Sequence, residues 1–335
     1  MKPLTKVTFL IDNFAVPSSG QQLVDRFLIG YNHDGEFYTP GCSVELVLNG
    51  EPTSAINSRA VQHRLRVVPS REEAIRNCQS AVVVAPSQIT REVVAGLPPE
   101  ARCFVYGPLA DDENSARELL AIAGRRRVAL RAGTAAATAF QLPPIEKPGP
   151  IRKAAIVTFG PPLEAELEGL DALWSLAPLG SGVPSVKSLQ GDKVWDTAYS
   201  ADWSGLFSAA FSRSNTIQGY PVRDGRTQDV VGLRLVEKLV PEPRAWLLDA
   251  GQTQIALFIM NGALEDLNIA LESNSGELLS TQLYRPPAPM QDHFSNLAAQ
   301  IEAFFRREET PLFGHNPVTL PGILEQMRAA GANAE

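Results

Sequence analysis

Short unbroken apolar runs alternate with helical segments through the first third of this chain, and that alternation constrains the fold most. Val7–Ile11, Val44–Leu48, Ala81–Ala85, Cys103–Val105 and Val128–Leu130 are continuous β-rich runs, with a shorter one at Arg66–Val68. Gln21–Leu28, Asn57–His63 and Asn114–Gly124 have helical character, and Ser70-Arg71-Glu72-Glu73 opens a further helix as a capping box. Strands apolar on both faces and separated by helices predict a parallel sheet covered on both sides, the doubly wound α/β fold.

Gln141–Pro150 holds four prolines in ten residues, which excludes a regular helix or central strand and marks a crossing between domains. Beyond it the pattern changes. A helix at Leu163–Leu176 is followed by strands at Val183–Leu189, Leu233–Val240, Ala245–Leu248, Gln254–Met260, Leu267–Glu272 and Leu278–Tyr284. Turn signals such as Asn274-Ser275-Gly276 make this sheet mainly antiparallel, and helices at His293–Arg306 and Leu320–Ala329 close the chain. The expected division is a Rossmann-like domain over 1–133, a crossing over 134–150 and a second α/β domain over 151–335.

Composition narrows the partners. A formal net charge of −7 opposes binding to a phosphate backbone, and Arg125-Arg126-Arg127 falls where it would complement a helix dipole. Cys42, Cys78 and Cys103 are odd in number and show no C-x-x-C spacing; His33, His63, His293 and His315 lie far apart. Neither a disulfide framework nor a metal site is expected. No signal-peptide pattern or membrane-length apolar segment is seen, so the expected location is the cytoplasm and the expected partner a small molecule. The apolar run Gln254–Met260, on an open sheet, predicts burial against a second copy and hence a homo-oligomer.

Several segments, in order, resemble the glucose-fructose oxidoreductase, inositol dehydrogenase and MocA-like (Gfo/Idh/MocA) family. Ser80–Pro86 is similar to the family's fourth-strand segment, and Arg102–Ala110 with Glu118-Leu119-Leu120 to its "VFVEKPLA…ELL" segment. Phe159–Asp171 is similar to the helix carrying D-x-x-x-H-x-x-D, and His293-Phe294 through Phe304-Phe305 to the C-terminal "HF…F" helix. The resemblance implies a Rossmann domain followed by an α/β domain with an open sheet, NAD or NADP as cofactor, and a sugar, cyclitol or related hydroxylated substrate.

The motifs that carry the family's chemistry are altered. Its first βα turn holds G-x-G-x-x-G, whose glycines let the backbone approach a pyrophosphate. Here the turn Asp12–Gln21 has one glycine; Ser18, Ser19 and Gly20 offer amides and hydroxyls to a phosphate or form an ordinary N-cap. The ribose-binding acid corresponds to Asn49 or Glu51, with Asn49-Gly50 equally a plain turn, and Pro86 ends the fourth strand beside the expected cofactor. The E-K-P triplet is Tyr106-Gly107-Pro108, so the substrate lysine is absent; Glu146-Lys147-Pro148, in the crossing, is a coincidence of sequence. The family's aspartate and catalytic histidine correspond to Glu164 and Glu168, four apart and therefore on one helix face. Glu168, beside Glu164, serves as a base if buried, with Tyr106 a second replacement group; otherwise these carboxylates form a solvated acidic face. Trp195 is read as core rather than sugar-stacking, and His293 as a packing residue. Two functions stay open: a divergent NAD(P)-linked oxidoreductase, or a small-molecule-binding or complex-forming homologue without redox chemistry and without the cofactor. Three separate losses favour the second.

Overall fold

The structure, a computed structural model, describes residues 5–48, 53–146, 148–177, 183–215, 217, 227–286, 292–308 and 317–332. It divides into one unit of Met1–Thr138 with Pro286–Phe313 and a second of Ala139–Arg285 with Gly314–Glu335.

The first unit runs β1 (Lys6–Ile11), α1 (Ser19–Leu28), β2 (Tyr31–His33), β3 (Glu36–Tyr38), β4 (Ser43–Leu48), α2 (Ser54–His63), β5 (Arg66–Val67), α3 (Arg71–Arg76), β6 (Ser80–Val84), α4 (Ser87–Gly96), β7 (Arg102–Tyr106), α5 (Glu113–Arg126) and β8 (Ala129–Gly133). Six of these strands form a parallel sheet in the order β5-β4-β1-β6-β7-β8. That order makes the β1–β6 boundary a topological switch point, where Rossmann-type sheets open a crevice at the strand C-termini. Val7, Phe9, Leu46, Val82 and Phe104 are fully buried, as expected for strands covered on both faces. The helix starts follow the local chemistry: Ser18, Thr53, Ser70 and Asp112 each accept an amide from the turn they cap.

The second unit contains β9 (Phe140–Leu142), β10 (Ile151–Thr158), α6 (Glu164–Leu176), β11 (Ser185–Gln190), α7 (Asp192–Ala198), α8 (Ser204–Phe211), α9 (Thr227–Gly232), β12 (Arg244–Asp249), β13 (Gln254–Ile259), β14 (Leu267–Ser273), β15 (Leu278–Tyr284) and α11 (Thr319–Ala332). Its open seven-stranded sheet runs β11-β12-β13-β10-β14-β15-β9, antiparallel except where β10 meets β13. The Asn274–Gly276 turn closes the β14–β15 hairpin, with Gly276 at φ 84°. The segment read as a strand over Leu233–Val240 is instead a tight 3-10 turn at Leu235–Lys238, because Arg234 at φ 55° reverses the chain just before it.

Helix α10 (His293–Arg306) belongs to the first unit. There Tyr31 and Tyr38 of the β2–β3 hairpin donate to the Glu302 carboxylate at 3.1 and 2.8 Å. Arg306 completes that cluster through Nε at 2.9 Å.

The apolar run of β13 is buried within its own unit. Gly169 of α6 lies so close to the sheet that a Cβ there would meet Ile156 at 3.0 Å and Leu257 at 3.5 Å. On the other face Phe207 of α8 packs edge-on against Phe258, centroids 5.0 Å apart. Ile255, Ala256, Leu257 and Phe258 are all 0% exposed. The homo-oligomer expectation therefore loses the observation on which it rested, since helices of the same chain cover both faces. A strand buried by its own helices and one buried by a partner carry the same apolar run. No helix among the described residues is long and apolar enough to cross a membrane.

Candidate functional site

In the first unit the turn after β1 decides what can sit at the switch point. Asp12 is exposed at the strand end and donates its amide to Val84 at 3.0 Å. Asn13 Oδ1 accepts the Ala15 amide at 2.8 Å. Ser18 Oγ accepts the Gln21 amide at 3.2 Å, while the Ser18 carbonyl accepts that of Gln22 at 2.9 Å. Phe14 turns inward, 2% exposed, with the Arg59 guanidinium 5.2 Å over its ring. Arg59 is itself held by Asp25 of α1, Nη2 to Oδ2 at 2.6 Å. Gly20 is the closely packed residue: a Cβ would lie 3.1 Å from the Asn13 carbonyl and 3.4 Å from Ile11. It thus fills the helix-packing place of a fingerprint glycine. Ser19, half-buried, is the first residue of α1, and Asn49 lies outside the described residues.

A nicotinamide dinucleotide needs amides aimed outward at its pyrophosphate and room for close backbone approach. Here the Ala15 and Gln21 amides are satisfied internally, a phenylalanine fills the interior of the turn, and a carboxylate stands at the end of β1. The described residues do not fit the group in the family's manner.

Pro86 caps α4 without a side-chain bond; its carbonyl accepts the Thr90 amide at 3.1 Å. Tyr106 ends β7 and stacks on Phe294, centroids 5.9 Å apart, with Arg26 5.6 Å from the Phe294 ring. Gly107 adopts φ 103° and donates its amide to Gly133 at 2.9 Å. A lysine here would have to adopt a backbone conformation that side chains with a Cβ avoid. Glycine at this position is thus built into the chain path. Lys147 lies outside the described residues, and so does His315. His293 is buried at the start of α10 and Trp195 is buried in the core, stacked on Tyr199.

In the second unit, α6 does not present a uniform acidic face. Glu164 is exposed. Glu166, 4% exposed, accepts from the Trp246 indole at 3.1 Å and from the Leu163 amide, which makes it structural. Asp171 is 1% exposed. Glu168 lies between these extremes, its side chain 16% exposed and paired with Arg285 just beyond β15. Burial raises its carboxyl above the usual range; Arg285 pulls it down, while Glu164 and Asp171 push it up. The Arg285 guanidinium lies 5.5 Å from the Phe159 ring. Sequence reasoning missed Arg285; the one available signal was a cation directly between the apolar strand Leu278–Tyr284 and Pro286. Glu164 and Glu168 belong to the second unit, whereas Tyr106 belongs to the first.

No protein-family model and no curated protein matches the sequence. Solved structures do. GenD2 from gentamicin A biosynthesis, in complex with NAD, is 14% identical with a TM-score of 0.62, covering 100% of this chain and 96% of that one. Myo-inositol dehydrogenase from Lactobacillus casei, in complex with NAD(H) and myo-inositol, is 12% identical at 0.61, covering 99% and 96%. A Gfo/Idh/MocA family oxidoreductase from Vibrio cholerae is 10% identical at 0.58, covering 99% and 100%. The chain thus has the architecture of a two-domain α/β oxidoreductase over its whole length. More narrowly, the fold is that of the Gfo/Idh/MocA oxidoreductases.

Proposed function

We propose that this chain is a small-molecule-binding protein on an oxidoreductase scaffold, with its ligand chemistry in the second unit and no nicotinamide held at the first βα turn. The observation that carries this reading is the turn itself, where internal bonds from Asn13 and Ser18 and the buried Phe14 take the place of an open phosphate cradle. The ligand class is a hydroxylated small molecule such as a sugar or cyclitol. Support comes from the myo-inositol complex among the structural neighbours and from the side-by-side donor and acceptor that Arg285 and Glu168 present. A net charge of −7 supports a small molecule over nucleic acid. Titration with NAD, NADH, NADP and NADPH by calorimetry tests the reading. No saturable binding is expected up to millimolar concentration, and saturable binding of any of the four would overturn it.

One observation favours the alternative, an NAD(P)-linked oxidoreductase: Glu168 is a largely buried carboxyl that burial raises above the usual carboxylate range, the direction a general base needs. Under that reading Glu168→Gln abolishes turnover and leaves cofactor affinity intact.

A further inference from the structure

We propose that Arg285 is the positioning residue of the second-unit site: it orients Glu168 and makes the pair select uncharged over anionic ligands. This rests on the reading of that unit as the ligand-binding one.

The pair is built to be held still. Arg285 and Glu168 are 14% and 16% exposed, they approach through Nη1 and Oε2, and the guanidinium plane is backed by Phe159. A guanidinium offers five donors in a fixed fork, and the bond to Glu168 occupies one side of it. Among the described residues no acceptor meets Arg285 Nε or Nη2, and no donor meets Glu168 Oε1. A largely desolvated ion pair is costly unless its remaining donors and acceptors are also satisfied. A ligand hydroxyl does both at once, accepting from Arg285 and donating to Glu168.

Charge sets the selectivity. The groups acting on Glu168 are Glu164 and Asp171 of its own helix and Arg285 from the end of β15. Glu164, one turn before Glu168 and exposed, adds negative charge beside the pair. A phosphate or carboxylate ligand meets repulsion there that a neutral polyol does not.

The test follows the Glu168 carboxyl by carbon-13 NMR titration, its signal assigned by loss in Glu168→Gln, in the wild type, Arg285→Gln and Arg285→Lys, with unfolding curves for each. Binding of myo-inositol and of myo-inositol monophosphate is measured in parallel. In Arg285→Gln the Glu168 titration is expected to move up by about one pH unit or more, because the nearby cation is gone. Arg285→Lys keeps the charge and should titrate with the wild type, yet bind myo-inositol about tenfold more weakly for want of the fork. Myo-inositol monophosphate should bind the wild type more weakly than myo-inositol. An unmoved Glu168 titration in Arg285→Gln overturns the proposal; so does a displaced one in Arg285→Lys, which decides the matter if the glutamine variant does not fold. Equal binding of the two probes overturns the selectivity. If the wild type binds neither probe, the ligand class under Proposed function falls, while the titrations still decide whether Arg285 governs Glu168.

Discussion

Gly107 stands where the sequence resemblance to the Gfo/Idh/MocA family implies a lysine, and its backbone makes a specific prediction about placing a lysine there. Its φ of 103° is far from the left-handed well near +57° that other residues occasionally occupy. Even in that well an L-residue loses about 1–2 kcal/mol, and sparsely populated conformations cost about 1–3 kcal/mol. The chain can escape the strain by rotating residue 107, but it then loses the amide bond to Gly133, worth about 0.5–1.5 kcal/mol net, and disturbs the join between β7 and β8. Either route predicts a loss of about 2 kcal/mol or more for Gly107→Lys. Gly107→Ala should lose nearly the same amount, since the penalty arises at Cβ and not from the ammonium. Urea denaturation of the two variants beside the wild type measures this directly. Alanine and lysine variants both within about 0.5 kcal/mol of the wild type would refute the reasoning, because ordinary surface substitutions change stability by no more than that.

Two further outcomes follow from the first unit. Phe14→Ala should cost about 3–5 kcal/mol, because a ring that is 2% exposed is removed and the Arg59 guanidinium loses its aromatic support; a loss under about 1 kcal/mol in urea would show that the turn does not depend on it. Glu302→Gln replaces one acceptor oxygen among Tyr31, Tyr38 and Arg306 with an amide and should cost about 2–3 kcal/mol. The same change should let the Tyr38 phenol ionise at lower pH in a spectrophotometric titration, since burial and the bond to Glu302 hold it up in the native protein. An unshifted phenol would contradict that bonding.

The local elements and the order of layers were legible in the residue pattern. Continuous apolar runs placed β1, β4, β6 and β7 to within a residue or two, and the helix His293–Arg306 was bounded correctly at both ends. Ser70 with Glu73 predicted its cap, and Asn274–Gly276 its hairpin, because caps and tight turns depend on side chains only a few positions away. Gly107 and the single-glycine turn were also legible, since a missing side chain is visible in one dimension. The rest depended on long-range packing. The α7–α9 region covers a sheet face whose apolar run fits a partner subunit equally well. Phe14 turned inward instead of lining an open turn. Of the four acidic residues along α6, packing separated a solvent-facing Glu164, a structural Glu166, a buried Asp171 and an ion-paired Glu168. Arg285 lies 117 positions from its partner. Periodicity reports which face a residue occupies, because backbone geometry repeats over a few residues. A charge pair closed between a helix and the end of a strand leaves no such repeat, and its existence depends on two distant elements being packed together.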